Sequence, residues 1–507
     1  MLQGAAGRLS ADGSSVRAMR TPLRRVVAAA AGAVTAAGLS FTAAPPAGAT
    51  TATPTTAGAA ITTAGTAPAA TSHPPTGRAA SGRDSLFPGQ GTDAYDVRHY
   101  DVALDYAKAG TISATTTVRA TAARPLPRID LDLEGLTVRS VSVDGRDATW
   151  SRTGTKLHVV PRATVHGDFT VVVRYGGRPV THIDPDGAKD GWVPTADGAT
   201  VLSEPVGAQT WFPDNNTPAD KASFRVAVTV PAGTEVAGNG VLSGESTRAG
   251  RTTWTWVQRE PMATYLAMIS IGQYDVYRSS LRLADGRTIP VTSFIDPDLG
   301  SQAAARAQIA PAVRFLERHF GPYPFSSVGI VASRIKVGYA LETQTRPFFD
   351  GPVDTSTLVH ELAHQWYGDS VTPADWGDIW LNEGFATYAE WWWQEAHGGQ
   401  TRAEAFAKAY ATAADDELWG PAPADLHDPA LLFSDAVYTR GAMTLEALRH
   451  RIGSAAFDEV LQRWAATEEY RSTDTDAFVA LAERVSGQRL DGFFDTWLYT
   501  PGKPARP

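Results

Sequence analysis

Two histidines and a glutamate in "HELAH" (residues 360–364) have the residue types and spacing for metal chemistry. His360 and His364 are four apart, so on a helix their imidazoles leave the same face and can reach one ion. Glu361 is turned by about 100° from His360 and can flank that ion without binding it. The bland alternative is a helix with two packing histidines. It weakens because a third donor, Glu383, follows after eighteen intervening residues in "WLNEGFATYAEWWW". Two His and one Glu leave a fourth tetrahedral position for water, as in catalytic zinc sites, whereas structural sites are closed. Zinc acidifies a bound water and polarises a carbonyl. Glu361 is then placed to act as general base, carrying the water proton to a leaving amine. The chemistry expected is amide hydrolysis.

Those donors need two helices. Helical windows dominate from 355 to 497, and Glu383 falls in the first turn of a helix ending near Gly398. The loop "GDSVTPADWGD" lets that carboxylate return to the histidine face. Upstream, "AAARAQIAPAVRFLERHFG" reads as a helix stopped by Gly321, and "SVGIVAS" as a strand. From 85 to 293 the pattern is different. Tyr100, Val102, Leu104 and Tyr106 alternate, as do Phe169, Val171, Val173 and Tyr175, and Phe224, Val226, Val228 and Val230. Turn signals such as "VDGRD" and "VAGNG" separate these runs, which indicates an all-β region. In "IDLDLEG" (129–135) the aspartates read as a solvated face with Ile129, Leu131 and Leu133 inside. "DPDGAKDG" (184–191) reads as a turn rather than a calcium loop. The three consecutive tryptophans 391–393 read as packing, and His397 and His450 as surface residues. The fold expected is α+β and multidomain: an N-terminal all-β domain (85–293) followed by a mainly α domain (294–507).

The first 84 residues stand apart. Arg17, Arg20, Arg24 and Arg25 precede an alanine-rich apolar run and Ala47-Gly48-Ala49, the order of a secretory signal peptide over 1–49. Export to the outside is therefore expected, by either a general or a twin-arginine route. No stable membrane insertion is expected once the signal is removed. Residues 50–84 are Thr, Ala, Pro, Gly and Ser with almost no large apolar group, and read as a disordered tether. Cysteine is absent, so a metal must be held by His, Asp, Glu or backbone. The formal net charge is −9, and cleavage of the basic leader makes the chain more acidic still. That argues against nucleic acid as a partner.

"HELAHQWYGD" with "NEGFA" at this spacing resembles the aminopeptidase N family of gluzincin zinc metallopeptidases, over roughly residues 90 to 503. The resemblance implies a saddle-like β-domain and a thermolysin-like catalytic domain holding one Zn²⁺ on His360, His364 and Glu383. "DAVYTRGA" (435–442) resembles the family's Tyr-x-Lys-Gly-Ala segment, which implies Tyr438 as the phenol that hydrogen-bonds the oxyanion. The family lysine is Arg440 here, a change that keeps the charge. "KVGYALETQ" (336–344) falls where the family carries Gly-Ala-Met-Glu-Asn, a strand that lies along the substrate. This implies substrate contacts at Ala340 and Glu342, with Glu342 binding the free α-amine, although Tyr339, Leu341 and Thr343 depart from the pattern. "SEPVGAQTWFP" (203–213) resembles the Glu-Pro-x-x-Ala-Arg-x-x-Phe-Pro segment and implies Glu204 as a second substrate-binding acid. There the usual Gln is Leu202 and the Arg is Gln209. The further helical domain of many relatives has no counterpart after "FFDTWLYTPGKP" (493–504), so an open cleft is expected.

The resulting expectation is a secreted zinc aminopeptidase acting on peptides with a free N-terminus. A zinc endopeptidase with the same chemistry is the alternative, supported by the changes at Leu202, Tyr339 and Thr343. A non-catalytic binding protein with structural zinc is more remote, since structural zinc needs neither Glu361 nor an open position.

Overall fold

The computed structural model describes residues 84–107 and 110–506. The expected signal peptide and all of the expected tether except Asp84 lie outside the described residues. Asp84 itself is buried and accepts hydrogen bonds from the backbone amides of Leu86, Phe87 and Trp376.

Alternation builds the first half as anticipated. Strands 95–107, 111–122, 137–143, 146–147, 168–177, 221–231, 241–248 and 251–263 form an eight-stranded sheet. Strand 95–107 lies at its centre, parallel to 221–231 and antiparallel to 111–122. In-register pairing puts Tyr100 opposite Phe224, and their rings stack at 4.9 Å. Val102, Leu104 and Val228 on the same face are buried, which is what a period-two apolar pattern requires. A five-stranded sheet (181–183, 189–194, 199–202, 235–238, 269–272) and a three-stranded sheet (129–132, 149–153, 156–160) complete the domain.

Two sequence expectations are corrected here. Ile129, Leu131 and Leu133 are inside, but Asp132 is not on a solvated face. It is fully buried, ion-paired with Lys156 at 2.5 Å, and accepts the amides of Gly91 and Asn216. Local alternation could not register that other segments cover the second face of this short strand. The expected boundary at 293/294 also falls inside strand 288–295. That strand and its partner 275–282 share a four-stranded sheet with 331–333 and 348–350, so by pairing the β-rich domain ends near Gly272.

The second half is helical: α1 (Ala303–Phe320), α2 (Thr355–Ala363), α3 (Trp380–Ala396), α4 (Arg402–Tyr410), α5 (Gly441–Ile452), α6 (Ser454–Thr467) and α7 (Thr475–Ser486). Gly321 ends α1 with φ 102°, a conformation open to glycine. The side chain of Asp354 caps α2 by accepting from the Thr357 amide. Trp392 and Trp393 are buried against α1, where Trp393 meets Phe315 edge-on, so the tryptophan run is packing. Among the described residues no helix is long and apolar enough to cross a membrane.

Candidate metal centre and active site

Helices α2 and α3 bring the three predicted donors together. His360 Nε2 lies 3.2 Å and His364 Nε2 3.5 Å from the same Glu383 oxygen, Oε2. Bond lengths of about 2.0–2.2 Å in a tetrahedral zinc site give ligand-to-ligand separations of about 3.4 Å. The observed spacings therefore fit one zinc ion, and all three residues are buried. The second nitrogen of each imidazole is also held. His360 Nδ1 donates to Glu390 Oε1 at 2.7 Å, and Glu390 is fixed in turn by the Ser356 hydroxyl at 2.6 Å. His364 Nδ1 donates to the Tyr367 carbonyl at 3.1 Å. With Nδ1 engaged in this way, Nε2 of each ring faces Glu383, and loss of the Nε2 proton gives the tautomer a metal ligand needs.

Charge makes the same demand. The ligand-capable atoms of Glu342, Glu361 and His364 lie within 4.8 Å of one another, as do those of Glu204, Glu342 and Glu383. Four buried carboxylates thus share one pocket with two imidazoles. Burial raises the Glu361 carboxyl, His360 and His364 oppose the shift, and Glu342 and Glu383 add to it. Glu342 is likewise raised by burial. Burial also acts upward on Glu383, but His364 and the hydrogen bonds from both histidines outweigh it and hold the group at about 2. Burial acts downward on His364, where Glu342 and Glu383 prevail and lift it to about 9. One oxygen each of Glu361 and Glu342 has no hydrogen-bond partner. Such a pocket calls for positive charge, which a dication and a ligand ammonium can both supply.

Tyr438 stands at the rim, half-buried, in a π-helical turn (Ala436–Arg440) that runs into α5. Its ring stacks over His360 with centroids 5.9 Å apart. Such turns recur at functional sites because they re-aim a side chain. Arg440 keeps the family charge but not a place in the cleft. It is buried and donates to the carbonyls of Thr496, Trp497 and Thr500, tying α5 to the chain's end. Ala340 lies half-buried beside Leu341, whose backbone bridges Phe348. Tyr339 is buried and its hydroxyl donates to the Lys189 carbonyl of the β-domain at 2.7 Å. Gln209 donates to Glu134, away from the four pocket carboxylates.

Sequence reasoning passed over Glu390, whose signal was present: it lies two helical turns beyond Glu383 on the same face of α3. It also passed over Gln365. That side chain accepts the Thr345 amide at 2.7 Å and donates to the Glu342 carbonyl at 3.0 Å.

Comparison with known proteins agrees with this geometry. Residues 351–497 match the Peptidase family M1 domain and residues 189–266 the Peptidase M1 N-terminal domain. The M1 zinc metallopeptidase of Deinococcus radiodurans is 32% identical, with a TM-score of 0.78 over 84% of this chain and 97% of that one. A mutant of that protein, bound to a Tyr-Ser-Ala substrate, gives 31% and 0.77 over 84% and 98%. Aminopeptidase N of Streptomyces lividans is 26% identical over 455 residues, 80% of this chain and 50% of that protein. The chain belongs to the M1 family of zinc metallopeptidases, and zinc is the metal its pocket fits. It spans half or less of the length of the curated relatives it matches.

Proposed function

We propose that the protein is a secreted zinc aminopeptidase that removes residues from the free N-terminus of peptides, with His360, His364 and Glu383 holding the zinc. The observation that carries this reading is the convergence of Glu204 and Glu342 with the Glu383 ligand atom inside 4.8 Å. Two further carboxylates beside a metal site suit a substrate ammonium, and they fix a peptide by its end.

Zinc bound there supplies the electrophile that acidifies water and polarises the scissile carbonyl. The chain's own residues do the rest. Glu342, assisted by Glu204, accepts hydrogen bonds from the α-ammonium and sets the first peptide bond at the metal. Glu361 takes a proton from the attacking water on its unpartnered Oε2 and returns it to the amide nitrogen as the C–N bond breaks. The Tyr438 hydroxyl donates to the carbonyl oxygen as negative charge develops on it, an interaction typically worth about 10²–10³ in rate.

The test uses fluorogenic aminoacyl amides beside their N-acetylated forms. Cleavage of the free amines alone, abolished by chelator and by Glu361→Gln, is expected. A charge-assisted hydrogen bond contributes roughly 1.5–3 kcal/mol, about 10- to 150-fold. Glu342→Ala should therefore lose most of the preference for free amines. Equal cleavage of blocked substrates by the wild type would make the protein an endopeptidase instead.

A further inference from the structure

We propose that the β-domain completes the metal site, with Lys221 and Tyr265 acting as positioning residues for His364 and Glu383. The inference rests on the assignment of those two residues as zinc ligands and extends it to the other half of the chain.

Lys221 opens strand 221–231, yet its side chain is buried in the peptidase half. Its Nζ donates to the carbonyls of Asp369 (2.7 Å) and Ser370 (2.8 Å) and to the Thr372 hydroxyl (2.8 Å). An ammonium has three protons, and all three are matched. Tyr265 comes from the short helical turn after strand 251–263, and its hydroxyl donates to the Gly368 carbonyl at 2.9 Å. The same hydroxyl accepts from Asn382 Nδ2 at 3.3 Å. Asn382 directly precedes Glu383, so one phenol touches both the turn behind His364 and the first turn of α3.

That turn bears on the metal through His364. The Tyr367 carbonyl sets the ring's tautomer, and the Asp369 amide donates to the His364 carbonyl at 2.9 Å. Gly368 packs so tightly that a methyl there would lie 3.2 Å from both His364 Nδ1 and Asn382 Nδ2. Gly368 has φ 132°, and the turn is closed from within by the Gly368 amide on the Val371 carbonyl at 2.7 Å and the Val371 amide on the Trp366 carbonyl at 3.0 Å. The carbonyls of Gly368, Asp369 and Ser370 accept from the β-domain. The Thr372 hydroxyl closes it onto Gly368, and Lys221 holds that threonine. Removing the β-domain contacts is expected to loosen residues 368–372 and, through them, the adjoining Tyr367 carbonyl that orients the imidazole. Outer-shell partners of this kind are typically worth about 10- to 100-fold in metal affinity.

The experiment measures zinc dissociation constants by chelator competition on the full-length protein. Wild type, Tyr265→Phe, Lys221→Met and His364→Ala are compared with Ser85→Ala. Ser85 makes a different contact between the halves, to Asp375. Melting temperatures are read with and without zinc. Tyr265→Phe and Lys221→Met are expected to bind zinc at least ten-fold more weakly and to narrow the gap between zinc-loaded and zinc-free melting. Ser85→Ala should match wild type. If the two positioning variants lose equal stability in both forms and keep the wild-type constant, their contacts are merely structural and the proposal is wrong. Should Lys221→Met fail to fold, Tyr265→Phe, which removes a single oxygen, decides alone. Wild type that binds no zinc, or His364→Ala that binds as tightly as wild type, would instead overturn the ligand assignment.

Discussion

The backbones of Gly384 and Gly441 touch. A methyl on Gly384 would lie 2.8 Å from the Gly441 carbonyl carbon, and one on Gly441 would lie 2.9 Å from the Gly384 Cα. Gly384 follows the ligand Glu383, and Gly441 follows the turn that carries Tyr438. The contact therefore sets the spacing between the helix that carries Glu383 and the turn that carries Tyr438. Helix propensity alone favours alanine at either position by about 1 kcal/mol. Backbone cannot yield as a flexible side chain does, and overpacking typically costs about 1–3 kcal/mol. Gly441→Ala is expected to lower the melting temperature and cut kcat about ten-fold or more, with zinc content intact and KM little changed. A variant that is more stable and equally active would show that propensity wins and the contact is loose.

Glu390 holds His360 by its outer nitrogen. Glu390→Ala leaves that nitrogen without its acceptor, and zinc affinity should fall about 10- to 100-fold. Equilibrium dialysis against a metal buffer measures this directly. An unchanged constant would mean that packing of the ring against Tyr438 is enough to orient it.

How much of the site was legible depended on distance along the chain. The histidine pair and Glu383 could be read because each is fixed by local helical spacing. Glu342 and Glu204 came only from resemblance, since their convergence depends on segments brought together by sheet pairing. Lys221 and Tyr265 look like ordinary strand-end residues in the sequence. Nothing local says that their polar ends cross into the other half. Asp132 was misread for a related reason: alternation reports which face a residue takes, not what covers that face.

His319 gives the fold an acid-sensitive joint. Its ring lies 3.8 Å from the Trp392 ring and 4.7 Å from Phe315. Burial, with Arg318 and Arg402 adding to it, lowers its pKa from 6.5 to about 4. The folded protein thus holds this proton less tightly than the unfolded chain. The group's contribution to stability is present above its unfolded value of 6.5 and is lost as the pH falls through about 4. His319→Phe keeps an aromatic ring and removes the charge. Urea midpoints taken at pH 7.5 and 4.5 should converge in this variant relative to wild type. Equal acid losses in the two proteins would place the sensitivity elsewhere.

Gln365 links the zinc helix to the segment carrying Glu342. It holds the Glu342 carbonyl and the Thr345 amide from the position next to His364. Thr345 has φ 69°, an unfavourable conformation for threonine that those contacts help to maintain. Gln365→Leu leaves two buried backbone groups unpaired, at a cost of about 1–3 kcal/mol each. Part of that cost is relieved if the 342–345 turn shifts, and the shift carries the Glu342 carboxylate away from the amine. The expected result is a KM for free-amine substrates raised about ten-fold, with a smaller change in kcat and a reduced ratio of free to blocked cleavage. Zinc content should stay at the wild-type level, because His364 keeps its Tyr367 contact. A fall in kcat at constant KM would instead mean that Gln365 acts on the metal side of the helix, and Glu342 would be positioned by its own strand.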